Sequence, residues 1–273
     1  MIKTSELHRT AAREGLRFDQ VEKDYIILLI LSALSETLGR RDQWVFKGGT
    51  CLRHCYYPGY RFSEDIDFSC TRTEDNVRHA FDVLVQAVGV LTEKTGIMLR
   101  CKEPRADEEN AQVEIPIEYS RGGSRRQSLP AVKVHLSFRE PLLTSAEERL
   151  VRPFHAEPMP FSLAAYSLIE IVAEKLRALL QQQEKWPRPR DLYDLWYITC
   201  HEGESFDRDQ LRRMFEKKCQ VRGIPADTRR LHSKQLYEWN RGAWTNQLLT
   251  MLRTAPEYDL VWTEWASKCE LLL

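Results

Sequence analysis

Apolar residues recur every three to four positions from Val21 to Leu38, the period of a helix buried in a core, and Gly39 followed by Arg40, Arg41 and Asp42 ends the pattern. Trp44-Val45-Phe46 then reads as a short buried strand running into Gly48-Gly49-Thr50. Leu52 to Tyr57 predicts a turn or two of helix, broken by Pro58-Gly59. Ile66 and Phe68 alternate with Asp65 and Asp67, so this segment predicts a strand with both acids on one face.

A second helix is expected from Asp75 to Thr95, where Phe81, Leu84, Val85, Val88 and Leu91 hold the helical period. Three strands follow, over Ile97 to Cys101, Val113 to Tyr119 and Val132 to Phe138. Gly122, Gly123, Ser124, Arg125 and Arg126, within Tyr119 to Pro130, predict a basic hairpin tip. Beyond Pro160 the pattern is helical throughout: Leu163 to Gln183, Asp191 to Cys200, Arg208 to Lys218, Lys234 to Asn240 and Asn246 to Arg253. Pro153, Pro158 and Pro160 mark the boundary, giving domains of residues 1–155 and 156–273. The fold class is α+β, a mixed sheet flanked by helices with an all-α C-terminal domain.

Composition narrows the function. A chain of 273 residues, 42% hydrophobic and 29% charged, is globular. No apolar run reaches the roughly 20 residues of a membrane span, and charged residues precede any apolar stretch at the N-terminus, so a cytoplasmic location is expected. The seven cysteines have no framework spacing and are expected as thiols. Cys51, His54 and Cys55 lack a fourth zinc ligand at suitable spacing. Lys plus Arg equals Asp plus Glu, 40 each, so nucleic-acid contact would rely on local patches such as Arg121, Arg125 and Arg126. The C-terminal aromatics Tyr237, Trp239, Trp244, Trp262 and Trp265 are read as core in preference to base-stacking platforms.

The chemistry concentrates in three places. Lys47-Gly48-Gly49-Thr50 closes one strand, where glycines allow close backbone approach to a phosphate and the Thr50 hydroxyl can hold its oxygens. Asp65 and Asp67 on the next strand suit Mg2+ shared with substrate phosphates, as in two-metal nucleotidyl transfer. Glu174-Lys175 lies on the helix from Leu163, with Lys175 inside the arc of Leu168, Ile171, Val172 and Leu179, and Glu170, Glu174, Arg177 and Gln181 on the polar side. Such a lysine either snorkels or meets a buried anion. Arg190-Asp191-Leu192-Tyr193-Asp194-Leu195 follows Pro187 and Pro189 and also reads as plain helix initiation. Taken singly, Gly-Gly is a common turn and Asp-x-Asp a common solvated strand face.

Together, Val21-Glu22-Lys23-Asp24-Tyr25, Phe46-Lys47-Gly48-Gly49-Thr50, Arg61-Phe62-Ser63-Glu64-Asp65-Ile66-Asp67-Phe68, Glu174-Lys175-Leu176 and Arg190 to Leu195 resemble the AbiEii/AbiGii toxin family. The resemblance implies a DNA-polymerase-beta-like nucleotidyltransferase core and a helical C-terminal domain that contributes Lys175 and Asp191 to the cleft. It further implies a toxin of a toxin–antitoxin or phage-abortive module, held in check by a cognate antitoxin. Nucleoside monophosphate would pass from a nucleoside triphosphate to an acceptor, the 3′ end of tRNA in some relatives. On this pattern Asp65, Asp67, Lys175 and Asp191 are catalytic. Asp65 and Asp67 ligate Mg2+, with Mn2+ as a substitute, and Lys47, Gly48, Gly49, Thr50, Ser63, Arg190 and Asp194 bind nucleotide.

One position departs from the superfamily pattern. His135 stands where a later strand usually supplies a third carboxylate, so either Glu118 or Asp191 compensates or activity is reduced. The alternatives are a γ-phosphoryl kinase, a metal-dependent glycosyltransferase and a degenerate nucleotide- or RNA-binding module.

Overall fold

The computed structural model describes residues 2–38, 43–71, 76–107, 111–122, 128–183 and 185–273. The helix end expected at Gly39 to Asp42, the helix start at Asp75 and the basic tip at Gly123 to Arg126 lie outside the described residues. The chain divides into two compact units, one of residues 1–142 and 146–166, the other of 143–145 and 167–273.

In the first unit, helix α1 (Thr4–Glu14) packs on α2 (Phe18–Thr37), which opens with the Arg17 N–H donating to Gln20 Oε1 at 3.0 Å. Ile26, Ile27, Leu28, Leu31 and Leu34 of α2 are fully buried, and burial all round is what an all-round apolar sequence produces. Asn76 caps α4 (Val77–Thr95) by accepting from His79 N–H at 2.9 Å.

These helices cover one face of a mixed sheet built from β1 (Trp44–Lys47), β2 (Asp65–Cys70), β3 (Met98–Cys101), β4 (Arg105–Asp107), β5 (Gln112–Ser120), β6 (Ala131–Ser137), β7 (Glu147–Val151) and β8 (Phe161–Ala165). The order is β3-β5-β6-β2-β1-β8-β7, with β4 also on β5. Strand β2 is antiparallel to β1 and parallel to β6. Ile66, Phe68, Val113, Ile115, Ile117, Val132, Val134 and Leu136 point to the helix-covered face, each at most 1% exposed. Their neighbours Asp65, Asp67, Glu114, Lys133 and His135 take the opposite face by the period of two.

Two departures from the expected elements matter here. Leu163 starts no helix: Phe161–Ala165 is a strand that reaches β1 through Phe46 and Ala165. The alternation of Phe161, Leu163 and Ala165 is too short to separate from the helical pattern after it. Strand β7, Glu-Glu-Arg-Leu-Val, is too charged to read as a strand at all, and pairing with β8 decides it.

In the second unit, Ser167 caps α5 (Leu168–Gln181), which packs on α6 (Pro189–Trp196) and α7 (Arg208–Val221). The helix expected from Lys234 runs on as α8 (Lys234–Leu248) and takes in only the start of the segment expected over Asn246 to Arg253, whose remainder is not helical; a further helix, α9 (Tyr258–Leu272), follows. Trp244 and Trp265 are buried, Trp244 against the Tyr193 and Tyr258 rings.

Candidate active site

Strand β1 delivers the chain into a glycine turn that starts a short helix, α3 (Gly48–Cys51), continued by a wider turn over Leu52–Tyr56. Gly48 sits at φ +79°, where a side chain is strained. A Cβ there would fall 2.4 Å from Asp67 Oδ2, and one on Gly49 would fall 2.8 Å from Arg61 Nη2 and 3.0 Å from Ser63 Oγ. The glycine pair thus lets the turn lie directly against Asp67, Arg61 and Ser63. The buried Thr50 hydroxyl donates to the main-chain carbonyl of Asp65, tying the turn to the first residue of β2.

Asp65 and Asp67 share one face of β2, as their spacing requires. The sheet register sets Lys47 beside Asp67 on β1 and His135 beside it on β6. Lys47 is buried, its Nζ 5.5 Å from the centre of the Tyr166 ring. Burial, with the neighbouring charge of Asp67 added, raises the Asp65 carboxyl above its ordinary value.

His135 Nδ1 lies 3.2 Å from Asp67 Oδ1, and Nε2 lies 3.3 Å from Glu114 Oε2. Burial disfavours the charged ring. The hydrogen bond and charge of Asp67, the charge of Asp65 and the bond to Glu114 outweigh it and push His135 up to about 9. Glu114 also takes Lys133 at 2.8 Å and Arg105 at 3.1 Å; its partial burial raises the carboxyl, but Lys133 and His135 outweigh this and hold it below the usual range.

Glu118, expected from sequence as a substitute third carboxylate, does not fill that place. It faces Ala131, four pairs along the ladder from His135, and binds Arg100 at 2.6 Å and Lys102 at 3.4 Å. Glu114 is the acid that meets His135; its alternation with Val113 and Ile115 was visible in the sequence, but its register was not.

A second feature missed by sequence reading anchors the loop ahead of β2. Buried Asp24 accepts from Arg53 Nε and pairs with His54 Nε2, both at 3.1 Å. Arg53 also donates to the Tyr60 carbonyl and stacks 3.9 Å from the Phe62 ring centre. Burial alone would raise the Asp24 carboxyl, yet Arg53 and His54 draw it down to about 2. Val21-Glu22-Lys23-Asp24-Tyr25 therefore supplies a buried anion that holds the Arg61–Ser63 loop in place.

In the second unit Lys175 meets two carboxylates, Asp194 fully buried and Asp191 partly so: its Nζ is 2.7 Å from Asp191 Oδ1 and 2.6 Å from Asp194 Oδ2. Asp191 and Asp194 lie at i and i+3 on α6, so one helix face presents both. Burial works against ionised Asp191, but Lys175 and then Arg188, at 3.5 Å, outweigh it and lower its carboxyl. Arg190 lies half-buried on the same helix.

Glu170 and Arg177, placed by the helical wheel on the polar side of α5, are buried in the structure. Glu170 binds Lys218 of α7 at 2.6 Å, both fully buried, and accepts from the N–H groups of Leu143 and Thr144. No periodicity in either helix announces that pairing.

The model of the nucleotidyl transferase AbiEii toxin family, assigned to type IV toxin–antitoxin systems, matches residues 30–266. The chain belongs to this family. The AbiEii match takes in the glycine turn, both strand acids and the Lys175 and Asp191 segments, while Val21-Glu22-Lys23-Asp24-Tyr25 precedes it. Among solved structures, the nucleotidyltransferase toxin MenT4 from Mycobacterium tuberculosis H37Rv is similar at a TM-score of 0.67 and 22% identity, covering 100% of this chain and 90% of MenT4. JHP933 from Helicobacter pylori is similar at 0.58 and 20% identity, covering 94% and 93%. At these identities the likeness shows the fold. No curated protein shows significant sequence similarity to the chain.

Among the described residues no group of three or more His, Cys, Asp or Glu side chains is arranged to hold a metal ion. The donor chemistry at Asp65 and Asp67 nonetheless fits a hard cation such as Mg2+, which commonly takes one or two carboxylates and completes its shell with water and phosphate oxygens. Among the described residues no helix is long and apolar enough to cross a membrane.

Proposed function

We propose that this AbiEii-family toxin transfers a nucleoside monophosphate from a nucleoside triphosphate to a hydroxyl of an RNA acceptor. The 3′ end of tRNA is the acceptor the family resemblance suggests. The observation that carries the reading is the pairing of Asp65 and Asp67 on one strand face with a glycine turn packed against Asp67. Two like charges held together, with Asp65 already raised by its surroundings, form a site whose strain a divalent cation relieves.

Asp65 and Asp67 would hold Mg2+, or Mn2+ in its place. The ion, when bound, polarises a phosphoryl oxygen and offsets charge on the leaving group. The first N–H groups of the helix beginning at Gly48 have no intrahelical partner and suit phosphate oxygens, with Ser63 beside them. Lys47 places a cation next to Asp67 on the same sheet face. Thr50 acts from behind, fixing the start of β2. The acceptor oxygen bonds to the α-phosphorus, the bond to the β-phosphate breaks, and pyrophosphate leaves. Through the family pattern, Lys175, Asp191, Arg190 and Asp194 are assigned to the same reaction. The setting is the cytoplasm, beside a cognate antitoxin, in a phage-abortive module.

The test is incubation of the protein with total cellular RNA and each triphosphate, labelled at the α or the γ position. Label enters RNA from the α position only, and Asp67→Asn lowers it on the order of 10³-fold, as loss of several kcal/mol of charge stabilisation dictates. Transfer of γ label would make the protein a kinase, and wild-type transfer by Asp67→Asn would remove Asp67 from the site.

A further inference from the structure

The position beside Asp67 on β6 is where a carboxylate would complete a two-ion centre, and this chain places a tethered imidazole there. Both ring nitrogens of His135 face carboxylate oxygens, Asp67 Oδ1 at 3.2 Å and Glu114 Oε2 at 3.3 Å. Each ring nitrogen is thus engaged by a carboxylate oxygen, and the position offers an imidazole where a hard cation such as Mg2+ prefers an oxygen ligand.

The tether is itself held. Glu114 is gripped by Lys133 and Arg105 from the flanking strands, so the ring cannot turn away without breaking that network. Glu118, the other acid on this face of β5, is engaged by Arg100 and Lys102. Of the Asp67 oxygens, Oδ1 is taken by His135, while Oδ2 faces the Gly48 turn.

We infer that the centre on Asp65 and Asp67 takes a single divalent cation, and that His135, tethered by Glu114, fills the place where a second would find its carboxylate. His135 is a positioning residue: it orients Asp67 and closes the second site. This rests on the nucleotidyl-transfer reading, which itself requires only that Asp65 and Asp67 bind one ion.

The experiment is a titration of the full-length protein with Mn2+, followed by electron paramagnetic resonance of free and bound ion, alone and with a non-hydrolysable triphosphate analogue. Wild type binds one Mn2+ per chain, and Asp67→Asn binds none without the analogue. His135→Asp binds two, with the broadening of a coupled Mn–Mn pair, while His135→Asn, which adds no carboxylate, stays at one. Two ions on wild type would overturn the inference and leave the transfer reading standing. No ion on wild type, with or without the analogue, would overturn both. One ion on His135→Asp, with its circular dichroism unchanged, would show that the imidazole is not what limits the count, and would overturn the inference as well.

Discussion

Gly48 carries two independent demands, a positive φ and the absence of a Cβ that would sit 2.4 Å from Asp67 Oδ2. Gly48→Ala should therefore lose transfer almost completely, while backbone strain costs about 1–3 kcal/mol of stability, measured by urea unfolding. Asp24 offers a second test at this scale. Its folded value of about 2 lies below the ordinary 3.8, so ionised Asp24 stabilises the fold above about pH 4, and that contribution fades as pH falls through about 2. The shift corresponds to about 2 kcal/mol. Unfolding free energies of wild type and Asp24→Asn should converge in acid and differ near neutrality; parallel profiles would refute the role of the Arg53–His54 pairing.

Among elements, the contact of α5 with α7 depends on Lys218 and Glu170, both without solvent exposure. Removing one partner of a buried pair leaves an uncompensated charge, which costs about 3–5 kcal/mol. Lys218→Met should destabilise the protein by that amount in denaturant titration, and Lys218→Met with Glu170→Gln by less, because the stranded charge is then gone. The sheet shows the same dependence on neighbours. The alternation in β2, β5 and β6 was legible, yet whether His135 meets Glu114 or Glu118 is a matter of register, and register comes from pairing between strands far apart in sequence.

For the molecule as a whole, membership of a toxin family predicts that producing wild-type protein in a bacterial host arrests growth. Asp67→Asn at equal abundance should not, and co-production of the antitoxin should relieve the arrest. Lys175→Met separates function from scaffolding in the second unit. It strands Asp191 and Asp194, so a loss of transfer counts as functional only if it exceeds the fraction unfolded by thermal melting. Equal numbers of acidic and basic residues leave no global field to draw in RNA, so binding is expected to follow local charge.

By itself the sequence determined what is local to the chain: the helical and alternating periods, the shared face of Asp65 and Asp67, the glycine pair at a strand end, and a lysine in an apolar arc that had either to snorkel or to meet an anion. Tertiary structure decided the partners. It made Phe161–Ala165 a strand, put Asp191 and Asp194 on Lys175, buried Lys218 with Glu170, and set His135 between Asp67 and Glu114. The physical reason is that periodicity is set by backbone geometry over a few residues, whereas a buried charge is stable only beside a partner that folding brings from elsewhere in the chain.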